Sequence, residues 1–159
     1  MLEKRTVLFV DDDEAILRSL ERGLIDEPYN KLFTKSCKEA LEILKREEVH
    51  VIITDLRMPE MSGLEFIKII EKEYPHIIRM VLSGYSQDPA LQTAIDQGEI
   101  YILIPKPWKS GGNFEKLIRQ AIEHYNLQNE REKYLNTYHV IDTDGFTKVP
   151  ELGTGEILP

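Results

Sequence analysis

The sequence predicts an open, doubly wound α/β fold, with five parallel strands alternating with five helices in three α/β/α layers. Two features predict it. Short apolar runs rich in β-branched residues, typical of strands buried on both faces, recur between stretches whose apolar residues repeat at helical spacing. The runs also end in polar or charged residues, at the edge where open α/β sheets bind their ligands.

Val7-Leu8-Phe9-Val10 is the first strand and runs into Asp11-Asp12-Asp13. The next helix carries Ile16, Leu17, Leu20 and Leu24 on one face, with Arg18, Glu21 and Arg22 off it. Pro28 marks a loop over Asp26–Asn30, and the weaker, more polar strand over Tyr29–Ser36 belongs at a sheet edge. Ala40, Leu41, Ile43 and Leu44 mark the second helix. The third strand, Val51-Ile52-Ile53-Thr54, ends on Asp55 and breaks into a turn marked by Pro59 and Gly63. Ser62 sits where an N-cap belongs, and Leu64, Phe66, Ile67 and Ile70 repeat behind it as far as Tyr74-Pro75.

Ile77–Leu82 is the fourth strand and ends at Ser83-Gly84-Tyr85. Pro89 opens a short helix carrying Leu91, Ala94 and Ile95, closed by Gly98. Ile100–Ile104 is the fifth strand and leads into Pro105-Lys106-Pro107-Trp108. Asn113 caps a last helix whose Phe114, Leu117, Ile118, Ala121, Ile122 and Tyr125 form the strongest helical pattern in the chain. Polar, helix-permissive residues from Asn126 to Asn136 let it run on past the domain. Residues 5–126 are therefore expected to form the domain, and residues 127–159 a helical extension and tail, extended or poorly ordered from Thr137. Asp142-Thr143-Asp144-Gly145 is similar to part of a calcium loop, but the other ligand positions are missing and a turn is the better reading.

Composition narrows the function. The 159 residues leave room for one full core, and 42% hydrophobic with 30% charged residues is the balance of a soluble globular protein. A formal net charge of −8 argues against direct binding to nucleic acid or an anionic membrane, since phosphate contacts need clustered Lys and Arg. The single cysteine, Cys37, excludes an intramolecular disulfide or a cysteine metal cage and fits a reducing cytoplasm. The apolar stretch Val7–Val10 is too short for a signal-peptide core or a membrane span, so a soluble cytoplasmic location is expected.

The strand ends share one chemistry. Asp11, Asp12 and Asp13 follow the first strand, Asp55 the third, Ser83 the fourth and Lys106 the fifth. In the flavodoxin-like order 2-1-3-4-5 the first and third strands are neighbours, so their carboxylates can hold one hard divalent cation, with magnesium favoured. A hydroxyl and an ammonium opposite would meet an anion. Cation, anion and carboxylate together specify phosphoryl chemistry, and the absence of a Gly-x-x-x-x-Gly-Lys-[Ser/Thr] loop points to a donor other than a bound nucleotide. Taken singly, Asp55 or Ser83 is more often a turn residue, and Lys106 a solvated side chain.

Val10-Asp11-Asp12, Asp55 with Met58-Pro59 and Gly63, Ser83-Gly84 and Lys106-Pro107 stand in an order and spacing that resemble the receiver domain of response regulators in bacterial two-component signalling. The resemblance implies that Asp55 accepts a phosphoryl group from a sensor histidine kinase or phosphotransfer protein. It implies a Mg2+ ion held by Asp12, Asp55 and the backbone carbonyl of Arg57, with Asp11 acting largely through bound water and Asp13 helping to open the first helix. Ser83 would hydrogen-bond the phosphoryl group, and Lys106 would pair with Asp55 before phosphorylation and with the phosphoryl group after it. A cis Lys106–Pro107 bond is implied as well. The output would be a conformational change of the face made by the fourth helix, fifth strand and fifth helix, which then dimerises or binds a partner. A C-terminal effector domain or a separate output protein would receive the signal, and the Gly98–Tyr101 and Lys106–Trp108 contexts resemble receivers ahead of phosphodiesterase or transcriptional modules.

Several positions depart from the family's pattern. The place of its switching aromatic, three before Lys106, is Leu103; strand alternation puts Tyr101 on the same face, where it could substitute. Pro105 removes a backbone donor at the end of the last strand, and Trp108 reads as packing. Arg57 and Tyr85 should flank the mouth of the site and shield an acyl phosphate from water. Two other readings stay open. Asp11-x-Asp13 mimics the nucleophile and acid of haloacid dehalogenase-type phosphatases, though Glu14-Ala15 is not their usual continuation. A pseudo-receiver, binding partners without taking phosphate, is the third.

Overall fold

The computed structural model describes residues 2–83, 89–105, 113–138, 140–141 and 147–148. In chain order the elements are β1 (Thr6–Val10), α1 (Glu14–Gly23), β2 (Asn30–Thr34), α2 (Cys37–Arg46), β3 (Val51–Thr54) and α3 (Gly63–Glu73). They continue with β4 (Ile78–Ser83), α4 (Pro89–Asp96), β5 (Ile102–Pro105) and α5 (Asn113–Tyr138). β1 to β5 form one sheet in the order β2-β1-β3-β4-β5 with every pairing parallel, as the sequence predicts. Val140–Ile141 and Thr147–Lys148 pair separately as the antiparallel strands β6 and β7; the Asp142–Gly145 turn between them lies outside the described residues.

Side-chain alternation divides the core into layers. Val7 and Phe9 of β1, Val51 and Ile53 of β3, and Met80 and Leu82 of β4 face α1 and α5, meeting Leu17, Leu20, Phe114, Ile118 and Ile122. Leu8, Val10 and Ile52 face the other way, onto Ala40, Ile43 and Leu44 of α2 and Phe66 and Ile70 of α3. Val81 and Leu103 complete that second layer with Ile67 of α3 and Leu91 and Ala94 of α4. Among the described residues no helix is long and apolar enough to cross a membrane.

Short polar side chains open the helices. Asp13 accepts from Ala15 N–H at 2.9 Å, Ser36 from Glu39 N–H at 3.0 Å and Ser62 from Glu65 N–H at 3.1 Å, each occupying a donor that the first helical turn leaves over. The opening role expected for Asp13 and the cap expected of Ser62 are thus observed. The edge strand is shorter than expected, because Tyr29 turns into the core, where it is 2% exposed. α5 runs on to Tyr138. At the base of the sheet Arg5 Nε donates to Asn126 Oδ1 at 2.7 Å, the Arg5 guanidinium lies over the Tyr125 ring, and the buried His50 ring meets Tyr125 edge-on.

Candidate functional site

The sheet register builds the site. Val10 pairs with Thr54, so the residues that follow, Asp11 and Asp55, leave adjacent strands side by side. Asp55 N–H donates to Val10 O at 3.0 Å and Asp11 N–H to Thr34 O at 3.1 Å, which carries the ladder one step beyond the strands. Carboxylate oxygens of Asp11, Asp12 and Asp55 lie within 4.8 Å of one another. Asp11 is 3% exposed, Asp55 is half-buried and Asp12 is open to solvent.

Like charges gathered this closely repel one another and call for a cation. An all-oxygen donor set with no thiolate or imidazole suits a hard ion such as Mg2+ rather than zinc or copper. The residues present therefore fit the predicted metal. Two of the carboxylates are also held from the backbone: Asp13 N–H donates to Asp11 Oδ1 at 2.9 Å, and Leu56 N–H to Asp55 Oδ1 at 2.8 Å. Cys37, buried at the start of α2, is no competing nucleophile, because burial pushes its thiol up to about 12.

The turn after β3 folds back on itself so that α3 starts against the end of the strand. Gly63 N–H donates to Leu56 O at 2.7 Å, and a Cβ on Gly63 would stand 1.9 Å from the Asp55 carbonyl oxygen. Close approach, not an unusual φ, is what requires glycine here. The turn also holds Glu60 at φ 70°, a left-handed conformation that side chains disfavour. Arg57 is exposed in the same turn.

The structure brings Asp11, Asp12 and Asp55 together as predicted, and it separates Asp13 from them by committing its carboxylate to the α1 cap. That geometry weighs against the phosphatase reading, which needs Asp13 as an acid. Ser83 closes β4 opposite Pro105, the last residue of β5, two positions beyond the Thr54–Val81 pair and so at the same end of the sheet. Lys106, the Lys106–Pro107 bond, Gly84, Tyr85 and Trp108 lie outside the described residues. The shared face expected for Tyr101 and Leu103 is not found. Tyr101 N–H still donates to Arg79 O of β4 at 2.7 Å, but its ring stacks on His124 of α5 at 4.8 Å, while Leu103 packs toward α3 and α4. Sequence reasoning passed over Thr54, a hydroxyl with 0% exposure at the end of an otherwise apolar strand.

Known proteins resemble this chain in sequence and fold. The family model described as the response regulator receiver domain matches residues 7–120. The hydrogenase transcriptional regulatory protein HoxA of Cupriavidus necator is 33% identical over 152 residues, which cover 96% of this chain and 30% of that protein. Among solved structures, the signal receiver domain of an HD domain-containing protein from Pseudomonas fluorescens Pf-5 is 32% identical with a TM-score of 0.76, covering 82% of this chain and 96% of that one. The beryllofluoride-activated NtrC4 receiver domain dimer is 32% identical with a TM-score of 0.69, covering 77% and 99%. The chain thus spans under a third of the length of the curated relatives it matches.

Proposed function

The chain belongs to the response regulator receiver domain family, whose members are phosphorylation-dependent signalling switches rather than conventional enzymes and bind Mg2+ at an acidic pocket, and from that premise we propose that Asp55 is its phosphoacceptor. The convergence of Asp11, Asp12 and Asp55 within 4.8 Å carries this reading. One Asp55 carboxylate oxygen attacks the phosphorus of a phosphohistidine on a sensor kinase or phosphotransfer protein. The phosphorus–nitrogen bond breaks, imidazole leaves, and an acyl phosphate remains.

Asp11, Asp12, Asp55 and the backbone carbonyl of Arg57 would hold Mg2+, which when bound neutralises charge building on the phosphoryl oxygens. The Ser83 hydroxyl donates to a phosphoryl oxygen, and the Lys106 ammonium moves its pairing from Asp55 to the new dianion. Water attacking the phosphorus of the acyl phosphate breaks its bond to the Asp55 oxygen, releases inorganic phosphate and restores the carboxylate, so the chain catalyses only its own phosphorylation and autodephosphorylation. The added charge draws Ser83 inward and shifts the population of the α4–β5–α5 face, which then dimerises or docks a partner. A dimer is what the NtrC4 structure is described as, and transcriptional regulation is what HoxA is named for; an effector domain or separate output protein fits both. We assign residues 5–126 to the receiver and 127–159 to an extension toward that output, in the cytoplasm.

Incubation with Mg2+ and acetyl phosphate followed by intact-mass measurement tests the reading. Wild type should gain one phosphoryl group and Asp55→Ala none. Uptake that survives Asp55→Ala but not Asp11→Ala would mean the phosphatase, and no uptake by wild type would mean the pseudo-receiver.

A further inference from the structure

Thr54 is the last residue of β3 and is completely buried. A hydroxyl shut away from water needs a partner. Its Oγ1 donates to the carbonyl oxygen of Asp55 at 2.9 Å, and the Cys37 thiol lies against the same hydroxyl.

The Asp55 carbonyl and the Leu56 N–H are opposite ends of one peptide unit, and that unit is planar and turns as a whole. Its N–H end donates to Asp55 Oδ1 at 2.8 Å, a charge-assisted bond that fixes the carboxylate against its own backbone. Its oxygen end is held by Thr54 and pressed by the start of α3 at Gly63. Any rotation of the plane that frees the oxygen end swings the N–H away from the carboxylate. Control of the carbonyl is therefore control of the aspartate.

We propose that Thr54 is a positioning residue for the phosphoacceptor: its hydroxyl fixes the Asp55–Leu56 peptide, and through Leu56 N–H it sets the direction in which the Asp55 carboxylate attacks, resting on the reading of Asp55 above. Thr54 acts through the peptide and needs no contact with the cation or the phosphoryl group. Reactions of this kind are sensitive to small errors in alignment.

Two variants separate positioning from packing. Thr54→Val removes the hydroxyl and keeps the branched shape; Thr54→Ser keeps the hydroxyl and removes a buried methyl. Each is measured in the full chain with Mg2+ and acetyl phosphate, by the rate of phosphoryl uptake in intact mass. Independently, with no donor added, the hydrogen-exchange rate of the Leu56 amide is read by NMR. Thr54→Val should take up phosphate about tenfold more slowly and exchange the Leu56 amide about tenfold faster, the effect of one hydrogen bond. Thr54→Ser should stay near wild type in both, although the buried methyl it lacks costs it some stability. Wild-type uptake and wild-type Leu56 protection in Thr54→Val, or a Thr54→Ser as impaired as Thr54→Val, overturns the assignment. If wild type itself takes up no phosphoryl group, the reading of Asp55 fails, and Leu56 exchange still decides whether Thr54 holds the peptide.

Discussion

Gly63→Ala tests how tightly the turn after β3 controls the site. An ideal Cβ on Gly63 would stand 1.9 Å from the Asp55 carbonyl oxygen, 2.8 Å from its carbonyl carbon and 2.9 Å from Leu56 Cα. Carbon and oxygen in contact settle near 3.3 Å, so the start of α3 and the end of β3 must part by roughly 1.4 Å. Every atom met is backbone, and no side chain can rotate out of the way. Overpacking of this sort costs about 1–3 kcal/mol of stability. The displacement falls on the peptide that holds the Asp55 carboxylate, where a misplacement of about 1 Å costs on the order of a hundredfold in rate. Gly63→Ala should therefore fold with a reduced urea midpoint and take up phosphate from acetyl phosphate about a hundredfold more slowly. Gly23 is the control: it ends α1, and a Cβ there meets nothing within 4 Å. Gly23→Ala should gain up to about 1 kcal/mol and phosphorylate at the wild-type rate. A Gly63→Ala variant that lost stability yet kept the wild-type rate would refute the coupling between this close packing and the aim of Asp55.

Other perturbations give distinct readouts. Glu60→Gly should stabilise the protein by about 0.5–1 kcal/mol in urea titration, because glycine relieves the left-handed φ of 70°; a loss of stability would show that Glu60 compensates for its strain. His50 Nδ1 accepts from Thr6 N–H at 2.9 Å and its Nε2 meets Glu48 at 2.8 Å, an arrangement that needs the neutral ring, and burial holds its pKa below the usual value despite Glu48, with Arg5 and Tyr125 alongside. The unfolded chain then binds a proton first as pH falls below about 6.5, so His50 contributes stability above that pH that is lost on the way down to its folded-state pKa. Thermal melts at pH 7.5 and 5.5 should show a smaller acid loss in His50→Gln than in wild type. Asp12→Asn should raise the melting temperature in EDTA by relieving carboxylate repulsion and lower the gain on adding Mg2+; an unchanged Mg2+ response would remove Asp12 from the metal site. The acyl phosphate of an Arg57→Asn, Tyr85→Ala double variant should decay faster than that of wild type if those side chains shield it, and slower decay would dismiss the idea.

The strand order is legible in part because the runs at Val7–Val10 and Val51–Ile53 are apolar throughout and suit the inside of the sheet, while Tyr29–Ser36 is polar enough for an edge. Once the order is set, adjacency of β1 and β3 makes the meeting of Asp11 with Asp55 a consequence of parallel register rather than of any local signal. Legibility ends where the backbone leaves the regular elements. Tyr101 looks like a strand residue and its N–H does bond to Arg79 O of β4, yet its ring is captured by His124, a partner that no strand periodicity encodes. Asp11 and Asp12 are identical residues in sequence but differ from buried to exposed, since only the β1–α1 turn decides which one points into the protein. Thr54 escapes notice for a related reason. Its hydroxyl is satisfied by the carbonyl of the very next residue, so it leaves no trace in spacing, and the one sign it offers is a hydroxyl among apolar neighbours in a strand buried on both faces. A buried hydroxyl one position before a reactive carboxylate is worth asking about in any sheet of this kind, because the peptide between them controls both the hydroxyl's partner and the carboxylate's aim.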